Sequence, residues 1–265
     1  MTNKSSGFEM KETLEWYQTS GIRLAFHPTY RTLPVSIESQ GLIGLNSQEL
    51  GVLYYLFPDK ARERSILRKI VGQPTNWFHQ NSTPELPLPT TDVAKALSPT
   101  ALIPSYIDYT PWKELKVPTA DIWLYQLPAN IPPEVRKIIL SEGFIHEVGH
   151  SIVQPAMYIS DYKLKFPDGK QMDGLEAMLH FAELAEQHPP ISHYAATYRG
   201  KENKFEGNPN EIKTAISEEL CESIAAYFLG FAYCGENYRS KNPFADRPEI
   251  KTFVCDFLAA ERIKE

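Results

Sequence analysis

The sequence predicts an α+β fold with a small mixed sheet, and three segments support this prediction. Of the runs that precede the long central helix, residues 120–127 are the one whose composition is convincingly that of a strand. Residues 130–155 have the composition and end signals of a long helix, and residues 215–228 repeat apolar side chains at helical spacing. With 42% hydrophobic residues, the 265-residue chain can bury one substantial core, or a main domain with a smaller N-terminal region.

The N-terminal region is expected to differ from the rest of the chain. Helices and short strands alternate there, and the expected elements are helices at 11–20 and 48–71 and a strand at 22–26. Residues 84–133 are dense in proline, which disfavours a regular helix. We therefore expect an N-terminal α/β extension at 1–83 before a main domain at 84–265, although the two could form one compact unit.

The central helix has clear end signals. Asn130 suits the N-cap, Pro132 and Pro133 suit the first turn, and Pro155 is expected to end the helix. The flanks of its central motif are apolar, which predicts a buried helix, and these residues are Ile138, Ile139, Phe144, Ile145, Ile152 and Val153.

A turn and two further helices are expected downstream. Residues 166–169 form a turn signal that suits a connection between two short strands. Residues 174–187 are typical of a helix, and residues 248–263 are typical of a closing amphipathic helix.

The buried central helix contains the sequence His-Glu-Val-Gly-His, from His146 to His150. At about 3.6 residues per turn, the two histidines lie one above the other, so both imidazoles can bind one metal ion. Glu147 is rotated by about 100° and suits a general base that faces a metal-bound water. Burying these side chains without partners is unfavourable, and a metal ion would satisfy all three. The motif therefore predicts one zinc ion per chain.

A catalytic zinc ion takes three protein ligands and keeps one position for water, so a third ligand is needed. The helix at 215–228 offers Glu218, Glu219 and Glu222. On a helical wheel, Glu218 and Glu222 border the apolar stripe, whereas Glu219 is turned toward the polar side. We therefore predict Glu218 as the ligand and Glu222 as the acceptor that fixes the tautomer of a ligating histidine.

Other metal sites fit the spacing less well. A metzincin would have glycine at 153 and histidine at 156, where this chain has Val153 and Ala156. The rival ligands His180, His188 and His193 are irregularly spaced. Three cysteines lack zinc-knuckle spacing and are expected to be buried thiols, namely Cys221, Cys234 and Cys255.

These motifs resemble those of the gluzincins, zinc metallopeptidases with His-Glu-x-x-His on one helix and a glutamate on a following helix. Among them, the chain looks most like the lethal-factor-like catalytic domains. The matching stretches are residues 145–152, 192–195 and 217–227. The resemblance implies a zincin-like metallopeptidase domain over roughly residues 120–230. It also implies that Tyr194 stabilises the transition state, with Tyr198 as the nearest substitute.

The residues and the resemblance both imply a zinc-dependent endopeptidase. Zinc lowers the pKa of its bound water toward about 7, and Glu147 takes the proton as the water attacks a peptide carbonyl. A tyrosine hydroxyl would share the developing oxyanion charge. Residues 120–127 could bind an extended peptide by backbone pairing, or they could be an internal strand. The resemblance favours an exported bacterial effector or toxin.

The composition weighs against several other classes. The net charge of -6 offers no basic footprint for nucleic acid. No apolar run is long enough to cross a bilayer, and the first residues do not lead into a signal-peptide core. We expect a cytoplasmic protein, or one exported without a classical signal peptide, whose partner is a protein or peptide substrate.

The alternative is a protein-interaction module on a zincin scaffold, in which the metal is structural or absent and no proteolysis occurs. The long polar interval before Glu218 and the unassigned residues 1–83 favour this alternative.

Overall fold

The computed structural model describes residues 35–39, 44–73, 105–127, 133–234, 237–239 and 242–263. Within these ranges, helices combine with three small sheets, in agreement with an α+β fold. The expected helix at 11–20, the strand at 22–26 and the N-cap Asn130 lie outside the described residues, and so does the proposed boundary near residue 84.

The largest sheet has four strands, β1 (Ser36–Ser39), β2 (Leu67–Gln73), β3 (Ser105–Asp108) and β4 (Ala120–Tyr125). Their order is β1-β2-β4-β3, in which β3 is antiparallel to β4 and the other neighbours are parallel. The strand expected at 120–127 is confirmed as β4, but it is internal. The outer strand on this side of the sheet is β3.

Eight α-helices are described. They are α1 (Ser47–Tyr54), α2 (Asp59–Arg64), α3 (Thr110–Leu115), α4 (Pro133–Tyr158), α5 (Gly174–Ala185), α6 (His193–Ala196), α7 (Pro209–Leu229) and α8 (Pro248–Ala259). A short 3-10 helix covers Lys201–Asn203. The helices expected at 174–187 and 215–228 are confirmed as α5 and α7.

The two smaller sheets lie later in the chain. One consists of β5 (Lys163–Lys165), β6 (Gln171–Asp173) and β9 (Glu261–Ile263), and the other of β7 (Ala232–Cys234) and β8 (Asn237–Arg239). The turn expected at 166–169 connects β5 to β6, and Gly169 adopts a φ of 88° there. This left-handed conformation favours glycine.

Two expected helices are shorter than their patterns suggested. The single helix expected at 48–71 is α1 and α2 followed by β2, because Pro58 interrupts the helical pattern and β2 pairs with strands on both sides. The closing helix ends at Ala259, because the residues after it pair with β5 as a strand. Of the cysteines, Cys221 is buried as expected, but Cys255 is exposed.

The prediction that Pro155 ends the central helix is wrong, since α4 continues to Tyr158. Proline has no backbone N–H, so the carbonyl of Ser151 loses its helical partner. That carbonyl accepts a hydrogen bond from the Ile66 N–H at 3.0 Å instead. The helix therefore continues through the proline, and the freed carbonyl connects it to the residue that precedes β2.

The central helix α4 packs against β3, β4 and α7. Several of its apolar residues around the histidine motif are fully buried, among them Phe144, Ile145, Val148 and Ile152. The same helix carries the histidine motif, so the motif is held in the middle of the core.

Candidate metal centre

Helices α4 and α7 approach each other closely beside the histidine motif. A β-carbon placed on Gly149 would lie 3.3 Å from the sulfur of Cys221, which is tighter than most such contacts. Glycine at this position of α4 therefore allows α7 to approach, because α4 places no side chain of its own against Cys221. The glutamates of α7 come within reach of the histidines of α4 for this reason.

Three donor atoms from these helices form a compact triangle. His146 Nε2 and His150 Nε2 are 3.0 Å apart, and Glu218 Oε2 lies 3.1 Å from the first and 3.3 Å from the second. Ligands around a tetrahedral zinc ion lie about 3.3–3.4 Å apart, given zinc–ligand distances of about 2.0–2.1 Å. The triangle is thus close to one face of a zinc tetrahedron, and the residues fit the ion.

The outer nitrogens of both imidazoles have polar neighbours on α7. His150 Nδ1 lies 3.0 Å from Ser217 Oγ, which also accepts a hydrogen bond from Gln154 Nε2. His146 Nδ1 lies 2.7 Å from Glu222 Oε1, within ion-pair distance, although its direction does not meet hydrogen-bond geometry. A proton on each Nδ1 would leave both Nε2 atoms free to bind a metal ion.

Glu147 lies beside the triangle. One of its carboxylate oxygens and a nitrogen of each histidine lie within 4.8 Å of one another. The closer contacts of Glu218 with both Nε2 atoms make Glu218 the better third ligand. Glu147 Oε1 accepts a hydrogen bond from Ser105 Oγ at 3.1 Å. Burial raises the pKa of Glu147, and the two nearby imidazoles counteract this effect only in part.

The charges of the site favour an ionised ligand. Burial would lower the pKa of His146, but the hydrogen bond to Glu218 and the charge of Glu222 outweigh it and hold the pKa well above its usual value. Burial would raise the pKa of Glu218, but His150 and His146 keep it well below its usual range. Binding of a metal ion would displace the proton of His146.

Glu142 lies one helical turn before His146. Burial and the nearby charge of Glu222 raise the pKa of Glu142 to about 8, although His146 acts in the opposite direction. At neutral pH this carboxyl group therefore keeps its proton, whereas the carboxylate of Glu218 is ionised.

Tyr194 lies next to the histidines. Its ring centroid is 5.9 Å from that of His146, and its hydroxyl is 2.9 Å from the hydroxyl of Tyr198. Burial, together with the charge of Glu218, raises the pKa of Tyr194 well above its usual value, so the phenol remains a hydrogen-bond donor. Of the two predicted tyrosines, Tyr194 contacts a histidine of the site and Tyr198 contacts Tyr194.

The prediction that Glu219 faces the polar side of its helix is wrong. Glu219 is 3% exposed and forms a buried ion pair with Arg199 at 3.3 Å. It also accepts a hydrogen bond from the backbone N–H of Ile191. The helical wheel does not reveal this environment, because residues 191–205 fold over that face of α7.

Three residues near the site were not predicted. Ser217 precedes Glu218 in the chain, and a search for a partner for His150 along α7 could have found it. Ser105 gives no sequence signal, because only the sheet brings it to Glu147. Tyr109 has a buried hydroxyl without a hydrogen-bond partner in the described structure. Burial and the charges of Cys221 and Glu147 raise its pKa well above the usual value.

Two of the rival histidines have partners outside this centre. His188 contacts Glu249, and His180 Nδ1 lies 3.8 Å from Glu183.

Within the described part of the chain, no helix has the length and apolarity needed to span a membrane. Comparisons with known proteins found no matching family model, no similar curated protein and no similar solved structure.

Proposed function

We propose that this protein is a zinc-dependent endopeptidase of the gluzincin type, related to the lethal-factor-like catalytic domains that its motifs resemble. The observation that supports the proposal is the triangle formed by His146, His150 and Glu218, with the carboxylate of Glu147 beside it. A zinc ion bound there supplies an acidified water and polarises the peptide carbonyl. The resemblance favours an exported bacterial effector or toxin.

The protein side chains take separate roles in this proposal. Glu147 accepts the proton of the attacking water and passes it to the leaving amine. The protonated hydroxyl of Tyr194 donates a hydrogen bond to the oxyanion, and Tyr198 orients that hydroxyl. Glu222 and Ser217 hold the imidazole rings by their outer nitrogens.

We propose that the peptide substrate pairs with β3. This strand is the outer member of the four-stranded sheet in the described structure, and it packs against α4. An extended peptide can add to such an edge through backbone hydrogen bonds. The internal strand β4, which the sequence suggested for this role, is already paired on both sides.

Glu147→Gln tests the proposed function. The variant keeps all three ligands and loses the base, so it should retain about one zinc ion per chain while cleavage falls by at least about 100-fold. Zinc is measured by elemental analysis and cleavage with an internally quenched peptide library. A wild-type protein that binds no zinc under zinc-replete conditions, or that is no more active than Glu147→Gln, would refute the proposal.

One observation favours a second function, a protein-interaction module with a structural metal. Glu147 is near enough to both histidines to serve as a fourth protein ligand, and four protein ligands are typical of closed structural sites. The same variant distinguishes the two functions. In a structural site, Glu147→Gln would weaken zinc binding, whereas in a peptidase it would leave zinc binding nearly unchanged.

A further inference from the structure

A buried hydrogen bond connects the outer strand of the sheet to the proposed base. Ser105 Oγ on β3 donates to Glu147 Oε1 on α4 at 3.1 Å. Ser105 is 8% exposed and Glu147 is 7% exposed, so water competes little for this bond. One carboxylate oxygen is thereby engaged by the protein, and the other remains available to a water molecule.

Ser105 also has a fixed backbone position. It is the first residue of β3 and pairs with Leu124 in the antiparallel register of β3 and β4. Leu124 is completely buried, so the sheet holds this end of β3 in place. The hydroxyl that donates to Glu147 therefore belongs to a residue paired within the sheet. The same strand is the proposed binding strand for the substrate.

We propose that Ser105 is a positioning residue whose hydroxyl orients the carboxylate of Glu147 toward the attacking water. This inference rests on the proposed peptidase function. A glutamate carboxylate can rotate about its last side-chain bond, and a hydrogen bond to one oxygen restricts that rotation. Ser105 does not touch the reacting atoms, so its effect should fall on kcat rather than on substrate binding.

Ser105→Ala is the direct test. We expect kcat to fall about 10- to 100-fold, the range for a lost hydrogen bond to a charged group. KM and zinc content should change little, because the substitution leaves the backbone hydrogen-bonding groups of β3 in place and removes no metal ligand. Ser105→Thr keeps a hydroxyl and suits a strand, so it should restore most of kcat. The probe is the internally quenched peptide that the wild-type protein cleaves best.

Ser65→Ala is the matched control. Ser65 Oγ lies 2.7 Å from Ser151 Oγ, so this variant also removes a serine hydrogen bond to α4, but one to Ser151 rather than to the proposed base or a donor of the triangle. It should keep kcat. A Ser105→Ala variant with the same kcat as Ser65→Ala would overturn the positioning role, as would a Ser105→Thr variant that is no better than Ser105→Ala.

A second readout does not depend on activity. Ser105→Ala, Glu147→Gln and the double variant are compared by their urea midpoints in zinc-free buffer, and the two shifts should not add if the side chains interact. If the wild-type protein cleaves peptides and the two midpoint shifts are additive, the positioning role is overturned but the peptidase function is not. Non-additive shifts in a protein that cleaves no peptide would instead overturn the peptidase function, and the positioning role with it.

Discussion

At the scale of single residues, Glu218 and Glu219 are neighbours in the chain with different surroundings. Glu218 lies among the imidazoles of α4, whereas Glu219 is buried against Arg199 and the backbone of Ile191. The pKa of Glu218 is held far below its usual value by His150 and His146 despite burial, but the pKa of Glu219 is raised by burial. One carboxylate therefore suits a cation, and the other stabilises the fold.

We expect Glu218→Ala and Glu219→Ala to have different effects. Glu218→Ala should weaken zinc binding by more than the roughly 10- to 100-fold that is typical when a hydrogen-bond partner of a ligand is lost, because it removes the proposed third ligand itself. Glu219→Ala should mainly reduce the free energy of unfolding, by about 3–5 kcal/mol, because it leaves Arg199 buried without its partner. Competition with a chromogenic chelator and urea denaturation measure the two effects. The reverse order would show that Glu219 is the ligand.

Glu142 gives a pH-dependent prediction. Its pKa is about 8 in the folded protein, against an ordinary value of 4.5. The folded state therefore holds this proton more tightly, and its stability falls as the pH rises between these values. Glu142→Gln should flatten this decline in zinc-free protein. The raised pKa of His146 also makes the stability fall as the pH rises, so part of the pH dependence remains in Glu142→Gln. Urea midpoints from pH 5 to 8 test this, and parallel curves for both proteins would contradict it.

At the scale of elements, the centre depends on the close packing of α4 against α7. Gly149 permits this approach, with Cys221 directly opposite. The continuation of α4 past Pro155 also connects this helix to the sheet. The freed carbonyl of Ser151 accepts a hydrogen bond from the N–H of Ile66, just before β2. The helix that carries the histidines is thus held by α7 and by the chain leading into the sheet.

Gly149→Val should disturb the packing of α4 against α7. The added side chain meets Cys221, and overpacking of this kind costs about 1–3 kcal/mol. Zinc affinity should fall as well, because Glu218 moves away from the histidines. Adding Cys221→Ala makes room and should recover part of both losses. Thermal denaturation and zinc titration measure the effects, and a double variant no better than Gly149→Val would argue against this contact.

At the scale of the whole molecule, the donor triangle connects two long helices that lie far apart in the chain. A metal ion that binds the folded protein but not the unfolded chain raises the stability of the fold by mass action. Burial would lower the pKa of His146, but the carboxylates of Glu218 and Glu222, one beside each ring nitrogen, raise it well above the usual value.

Zinc should therefore stabilise the whole domain. At a free zinc concentration about 100 times the Kd, the gain should be about 2.7 kcal/mol. The melting temperature should rise with zinc and fall with a chelator, both in the wild-type protein and in Glu147→Gln. Glu218→Ala should show little response. An equal response in Glu218→Ala would mean that zinc binds elsewhere.

Features that depend on local spacing can be predicted from the sequence. The histidine pair one turn apart, the helices at 174–187 and 215–228 and the strand at 120–127 follow from periodicity and composition. A helical wheel also favours Glu218 over Glu219 as the proposed ligand, although it wrongly places Glu219 on the polar side of the helix. These features involve residues close together in the chain, where helix and strand geometry fixes the relative positions of side chains.

Features that depend on segments far apart in the chain become visible only in the folded structure. Ser105 reaches Glu147 because β3 packs against α4. The strand β4 is internal because β3 pairs with its outer side. Glu219 is buried because residues 191–205 fold over α7. The continuation of α4 through Pro155 likewise depends on Ile66, which is remote in sequence. Local preferences cannot encode these contacts, because each depends on a partner brought near only when the whole chain folds.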